Sequence, residues 1–236
     1  MRALNRKNDA LRQVEIIKNV NAYAEGSCLI KCGNTHVLCT ASVTSELPEW
    51  LKNAEKGWVT AEYNLLPRST FSRVDREKTL KAGRTKEIER LIGRSLRAVT
   101  NLSELKGFQI IVDCDVLQAD GGTRTASITG GFVALYLACK KMFEEGKIAV
   151  MPIKEFLAAV SVGLSAGGVL LDLDYEEDSR AQTDANFVLT ESGRIVEIQA
   201  TAEGEPFDEN QFFELRELAK KGIAELTELQ HKVLGK

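Results

Sequence analysis

Apolar residues recur along this chain with two different periods. Residues 28–32 (CLIKC), 36–43 (HVLCTASV) and 57–63 (GWVTAEY) are short, β-rich runs set apart by turn residues such as Gly33-Asn34, which predicts three strands. Residues 64–83 show little periodicity and read as a basic loop. From 85 to 99 the spacing becomes helical, with Ile88, Leu91, Ile92, Leu96 and Val99 on one face. Residues 108–118 (FQIIVDCDVLQ) predict another strand, followed by a glycine-threonine turn and a helix to about residue 145. Residues 157–164, 169–175, 184–190 and 194–200 predict four more strands. Gly167-Gly168 joins the first two, and Glu191-Ser192-Gly193 makes the last two a hairpin. A closing amphipathic helix spans about residues 208–234, where Phe212, Leu215, Leu218 and Ala219 begin an apolar stripe.

This order of elements predicts an α+β fold, mixed β-sheets covered by helices rather than a strictly alternating parallel arrangement. No linker, low-complexity run or repeat interrupts it, so residues 1–236 are expected to form a single domain. The longest unbroken apolar run, FVALYLAC, falls far short of the roughly 20 residues that span a bilayer, and the polar start lacks the apolar stretch of a secretory leader. The five cysteines are odd in number and mostly sit in apolar runs, as small buried hydrophobes do. Without a Cys-x-x-Cys pair, and with His36 and His231 as the only histidines, a zinc site is disfavoured. These features point to a reduced, cytoplasmic protein without membrane association.

Three stretches carry candidate chemistry. The first is GGTRTASITG, residues 121–130, at the junction of strand and helix. A helix N-terminus offers unpartnered N–H groups and partial positive charge. Glycine admits a ligand close to the backbone, threonine adds a hydroxyl, and arginine adds a planar fork that matches phosphate oxygens. The plainer alternative is a capped turn, with Thr123 or Thr125 as N-cap and Arg124 solvated. The second is basic. Residues 68–86 hold Arg68, Arg73, Arg76, Lys78, Lys81, Arg84 and Lys86 against Asp75 and Glu77, a net +5 in a chain whose formal charge is −3. Such asymmetry suits a polyanion channel on an acidic body. Phe71 could stack on a base there, and Arg90, Arg94 and Arg97 stand opposite the apolar face of the following helix, either solvated and paired with Glu87 or facing RNA or a neighbouring subunit. The third is acidic, with Asp172, Asp174, Glu176, Glu177, Asp178 and Asp184 close together. Magnesium needs one or two carboxylates, and Asp178 and Asp184 would share a face if their segment were extended. Residues 179–182 read as a turn that leaves that geometry open.

These stretches sit within blocks that resemble the ribonuclease PH family nearly end to end: EGSCLIKCGNTHVLCTASV, KGWVTAEYNLLPRST, GRTKEIERLIGRSLRAV, DCDVLQADGGTRTASITGGFVAL, LDLDYEEDSRAQTDANFVLT and EIQATAEGEPF. The resemblance implies the RNase PH domain, of the ribosomal protein S5 domain 2-like fold. It also implies a phosphorolytic 3′-to-5′ exoribonuclease acting on tRNA precursors and other RNA 3′ ends, with inorganic phosphate as co-substrate and nucleoside diphosphates as products. The reverse reaction would add nucleotides from diphosphates. A homo-hexamer built as a trimer of dimers is implied as well. Carried onto this chain, the phosphate-binding residues are Arg84, Gly122, Thr123 and Arg124, the magnesium-supporting acids are Asp178 and Asp184, and the tRNA-binding arginines are Arg68, Arg73 and Arg76. The chain departs from the family pattern at Leu4-Asn5-Arg6, Leu11-Arg12-Gln13, Glu89 and Ala200.

Inorganic phosphate is already anionic near neutral pH, so a phosphorolytic site needs positioning and charge neutralisation more than a strong side-chain base. The residues assigned to catalysis are accordingly Arg124, Asp178 and Asp184. A hydrolytic nuclease and a non-catalytic RNA-binding ring subunit are the alternatives, and the joint presence of Arg84, Thr123, Arg124, Asp178 and Asp184 weighs against the second.

Overall fold

The computed structural model describes residue 2 and residues 5–236. Two sheets organise the chain. The first contains β1 (Val14–Lys18), β2 (Gly26–Cys32), β3 (Thr35–Thr44), β4 (Trp58–Leu65) and β5 (Gln109–Gln118), in the order β1-β2-β3-β5-β4. β4 runs parallel to β5 and the other pairs are antiparallel. Parallel neighbours need a crossover, supplied here by α1 (Arg76–Lys81) and α2 (Gly83–Ala98). After β5 comes α3 (Thr123–Glu144). The second sheet is antiparallel and contains β6 (Leu157–Ser165), β7 (Gly168–Leu171), β8 (Thr183–Thr190) and β9 (Ile195–Ala202), in the order β7-β6-β8-β9. The four-residue α4 (Tyr175–Asp178) lies between β7 and β8, and α5 (Glu209–Leu234) closes the chain.

Burial follows from the patterning. Along β5, Ile110, Val112, Cys114 and Val116 are buried while the residues between them are less so, as expected for a sheet covered on one face. β6 is buried at nearly every position because α3 and α5 pack against it, so it reads as one apolar run. α3 is buried almost all round and therefore carries no single apolar stripe. Phe132, Ile128 and Leu135 on this helix are fully buried, each worth about 1.5–3 kcal/mol of transfer free energy. A larger core surrounds α3, a smaller one lies between the second sheet and α5, and Val14 packs against both.

The structure adds elements that the sequence reading lacked. VEIIK at β1 is a short edge strand with charges at Glu15 and Lys18, too weak a pattern to be noticed alone. Within the expected basic loop, Asp75 accepts a hydrogen bond from the Lys78 N–H at 3.0 Å and starts α1. The strand expected over 169–175 stops at Leu171, because Asp172 adopts a left-handed conformation and Asp174 caps α4. All five cysteines are buried and free. Among the described residues no helix is long and apolar enough to cross a membrane.

Candidate active site

The turn between β5 and α3 is built from two glycines with positive φ, Gly121 at 72° and Gly122 at 62°. Gly122 is the N-cap of α3 and has no side chain to close the first helical turn, which leaves the N–H groups there open to an anion. The simple capped-turn reading is therefore corrected. Thr125 Oγ1 donates back to the Gly122 carbonyl at 2.9 Å, and Thr123 Oγ1 lies 2.8 Å from the Tyr63 hydroxyl. Thr35 Oγ1 supports the turn from below, donating to the Gly121 carbonyl at 2.6 Å and accepting from the Asp120 N–H at 3.0 Å. A buried ion pair lies beneath. Arg12 donates to Asp172 through its backbone N–H (2.8 Å), Nε (3.0 Å) and Nη2 (2.7 Å), and through Nη1 to the Asp120 carbonyl at 2.5 Å.

The acidic side is fastened to this turn. A Cβ on Gly121 would come within 2.6–2.8 Å of backbone atoms of Leu173, Asp174 and Tyr175, so the phosphate-type turn rests directly on the chain entering α4. α4 is closed by a capping box: the Asp174 side chain accepts from the Glu177 N–H at 2.9 Å, and Glu177 accepts from the Asp174 N–H at 3.1 Å. Glu177 is also gripped by Arg2 (2.7 and 2.9 Å) and Arg6 (2.8 Å). Burial works against its ionisation. The hydrogen bonds from Arg2 and the Asp174 N–H, with the charge of Arg6, outweigh that and hold its carboxyl below the usual range. Arg6 and Arg12 thus find partners although their surroundings depart from the family pattern. Leu4, part of that departure, lies outside the described residues.

Between the two turns opens a cleft of about 570 Å³, lined among others by Arg84, Gly122, Thr123, Arg124, Asp178 and Asp184. All six residues expected from the sequence to hold phosphate or metal therefore meet in one cavity, though they come from α2, the start of α3, α4 and β8. Asp184 pairs with Gly163 of β6 and Thr201 of β9, and alternates with Ala185 and Phe187, which face α5. Asp178 ends α4, so the two carboxylates are not on one extended segment. They are brought together by the turn at 179–182. Burial pushes the Asp178 carboxyl up and the negative charge of Asp184 adds to this, while Arg84 and Arg124 oppose it. Arg124 Nη1 donates to Gln199 Oε1 of β9 at 2.8 Å. Arg84 is exposed and forms no ion pair among the described residues. Two converging carboxylates suit a magnesium ion, which takes its remaining ligands from water and phosphate, whereas no cluster of three ligating side chains occurs among the described residues.

Other assignments fall elsewhere. Arg68, Arg73 and Arg76 are exposed and do not line the cleft, although Thr70 of the same segment does, and the Ala119 N–H donates to the Ser69 carbonyl at 2.8 Å. Phe71 is fully exposed and packs on nothing. On α2 the arginines divide: Arg94 pairs with Glu197 at 3.2 Å rather than with Glu87, and Arg97 is half-buried. Arg97 donates to the Val59 carbonyl at 2.8 Å and lies over the Trp58 ring at 4.4 Å, so it serves the fold rather than a solvated face. The sequence reading missed Tyr63, Ser161, Tyr175 and Asn186 in the cleft and Gln199 beside it. It also missed the Arg12–Asp172 pair. A pairing across 160 residues leaves no local signal, although Asp172 had been counted among the acids.

A cleft that gathers an open helix N-terminus, two guanidiniums and two carboxylates, inside an α+β fold of two sheets, is the class of site that suits chemistry at a phosphate. The chain belongs to the 3′ exoribonuclease family, matching its domain 1 over residues 10–141 and its domain 2 over residues 155–222. Three bacterial relatives that it matches over nearly their whole length carry the name ribonuclease PH. The protein of Methylorubrum populi is 58% identical over the whole of both chains. That of Bdellovibrio bacteriovorus is 53% identical over 100% of this chain and 97% of its own. The fold is similar to that of a subunit of the Archaeoglobus fulgidus exosome solved with RNA bound to the active site (TM-score 0.79, 26% identity, 96% of this chain and 91% of the other). Rice Rrp46 shares the fold as well (TM-score 0.80, 20% identity, 99% and 100%).

Proposed function

We propose that this chain is a phosphate-dependent 3′-to-5′ exoribonuclease, a tRNA nucleotidyltransferase that trims the 3′ ends of tRNA precursors and other RNAs. Inorganic phosphate attacks the terminal phosphodiester, the shortened RNA leaves with a free 3′-hydroxyl, and a nucleoside diphosphate is released. The observation that carries this reading is the shared cleft, in which an anion cradle and a carboxylate pair meet. Thr123, Arg124 and the N–H groups after Gly122 grip the attacking phosphate, and Arg84 neutralises it from α2. Gln199 orients the Arg124 guanidinium, and Tyr63 orients the Thr123 hydroxyl. Asp178 and Asp184 would hold magnesium, which when bound offsets negative charge at the scissile phosphate and leaving oxygen. Holding an ionic nucleophile in line is most of the catalysis such a reaction needs.

Arg68, Arg73 and Arg76 receive the RNA backbone outside the cleft, giving affinity that falls with salt and depends little on sequence. The site draws on both halves of the chain, which supports treating residues 1–236 as one catalytic unit. A ring of six copies would carry six such clefts. Five buried free thiols suit a reducing cytoplasm.

The deciding experiment measures RNA turnover with and without phosphate and identifies the product. Nucleoside diphosphates formed only with phosphate are expected, whereas monophosphates formed in its absence would overturn the reading. Arg124→Ala should lower turnover about 10²–10³-fold while leaving RNA affinity within about twofold. Changing Arg68, Arg73 and Arg76 together to alanine should weaken binding and flatten its salt dependence instead.

A further inference from the structure

We infer that Tyr175 is the platform on which the base of the 3′-terminal nucleotide stacks, an inference that rests on the phosphorolytic reading above. Tyr175 lines the same cleft as Arg124 and Asp178, yet it is 68% exposed. Its ring is therefore open to a ligand rather than built into a core. Tyr63, the other aromatic residue in the cleft, is buried, and its hydroxyl is engaged with Thr123. Phe71, the aromatic that the sequence singled out for base stacking, lies outside the cleft wall.

Position and rigidity both favour Tyr175. It opens α4 and Asp178 ends it, so the two residues stand three apart, neighbours on one side of a helical turn. A nucleotide whose phosphate lies at Asp178 and Arg124 would then carry its base towards Tyr175. The residue beneath the ring does not wander. The Tyr175 N–H donates to Asp120 Oδ1 at 3.4 Å, the capping box closes α4, and Arg2 and Arg6 fasten Glu177. With its backbone held in this way, the ring has only its two side-chain torsions to fix when it binds.

The chemistry suits the task. An exonuclease that proceeds one nucleotide at a time meets every base, and stacking on a π-face accepts all of them. A hydrogen-bonding pocket for a base edge would instead reject those lacking the matching groups.

The test compares oligonucleotides ending in uridine with the same sequences ending in 5,6-dihydrouridine, which keeps the hydrogen-bonding edge but loses aromatic planarity. The readout is kcat/KM for phosphate-dependent release of the first nucleotide. The natural protein should favour uridine by about tenfold, within the range that base–aromatic stacking contributes. Tyr175→Phe should keep that preference. Tyr175→Ala should bring the uridine value down to that of dihydrouridine and leave the dihydrouridine value within about twofold. A Tyr175→Ala protein that still discriminates, or one that loses equally on both substrates, overturns the inference and leaves the proposed reaction standing. Failure of the natural protein to release diphosphates would overturn both.

Discussion

One methyl group added at Gly121 probes the join between the two halves of the cleft. A Cβ there would lie 2.6 Å from the Asp174 carbonyl carbon, 2.7 Å from the Leu173 oxygen and 2.8 Å from the Tyr175 nitrogen, all backbone atoms that cannot rotate away. Ordinary contact begins at 3.4 Å, so the two turns must part by about 0.8 Å. Gly121→Ala also carries the cost of a left-handed conformation, about 1–2 kcal/mol. Crowding against fixed backbone adds about 1–3 kcal/mol. Gly146→Ala separates these effects, because Gly146 has φ of 71° and nothing within 4 Å of its would-be Cβ. In urea unfolding at matched protein concentration, Gly146→Ala should lose only about 1–2 kcal/mol. Gly121→Ala should lose about 2–5 kcal/mol. Phosphate-dependent kcat/KM should be unchanged in the first and fall about 10²-fold in the second, because displacing reacting groups by near 1 Å is that costly. If the two variants match in both stability and rate, the turns are not braced against one another and the reasoning fails.

Two further outcomes follow from buried charge. Arg12→Met leaves the buried Asp172 carboxylate with only the longer Arg6 contact at 3.7 Å and should cost about 3 kcal/mol in urea unfolding, far more than the exposed Lys31–Glu15 pair loses on truncation. On the first sheet, burial, with Glu62 and Asp115 adding to it, pushes the Asp113 carboxyl up to about 6. The folded state therefore holds a proton that the unfolded chain releases near pH 4. Stability should fall as pH rises from about 4 to about 6 and stay lower above that, by about 1–2 kcal/mol after allowance for partial exposure. Asp113→Asn should make that slope shallower in unfolding measured from pH 4 to 8, the remainder belonging to Asp115 and Asp178, which burial also raises, and an unchanged slope would refute the assignment to Asp113.

Much of this protein could be read from its residues in order. Short β-rich runs bounded by turn residues marked eight of the nine strands, helical spacing marked α2, α3 and α5, and the glycine-threonine-arginine turn lay where an anion cradle needs it. Those signals are local: backbone period, turn chemistry and side-chain type act within a few residues of one another. Local rules also explain the misses. β1 is an edge strand whose partner, β2, decides its state, and the run through Asp172 reads as strand until the Arg12 ion pair fixes a left-handed bend there. Helical spacing likewise left Arg97 either solvated or facing RNA or a neighbouring subunit, whereas Trp58 and the Val59 carbonyl draw it inward.

By itself, then, the order of residues determined the α+β class, the sheet-forming and helix-forming segments and the kinds of groups available for chemistry. Only the tertiary structure decided that Arg84, Thr123, Arg124, Asp178 and Asp184 share one cavity, that Arg68, Arg73 and Arg76 stand outside it, and that Tyr175 rather than Phe71 faces it. The physical reason is that spacing along a chain constrains neighbours within a turn or strand, while a site drawn from α2, α3, α4 and β8 is set by how two sheets pack about a buried helix and by the ion pairs that brace their loops.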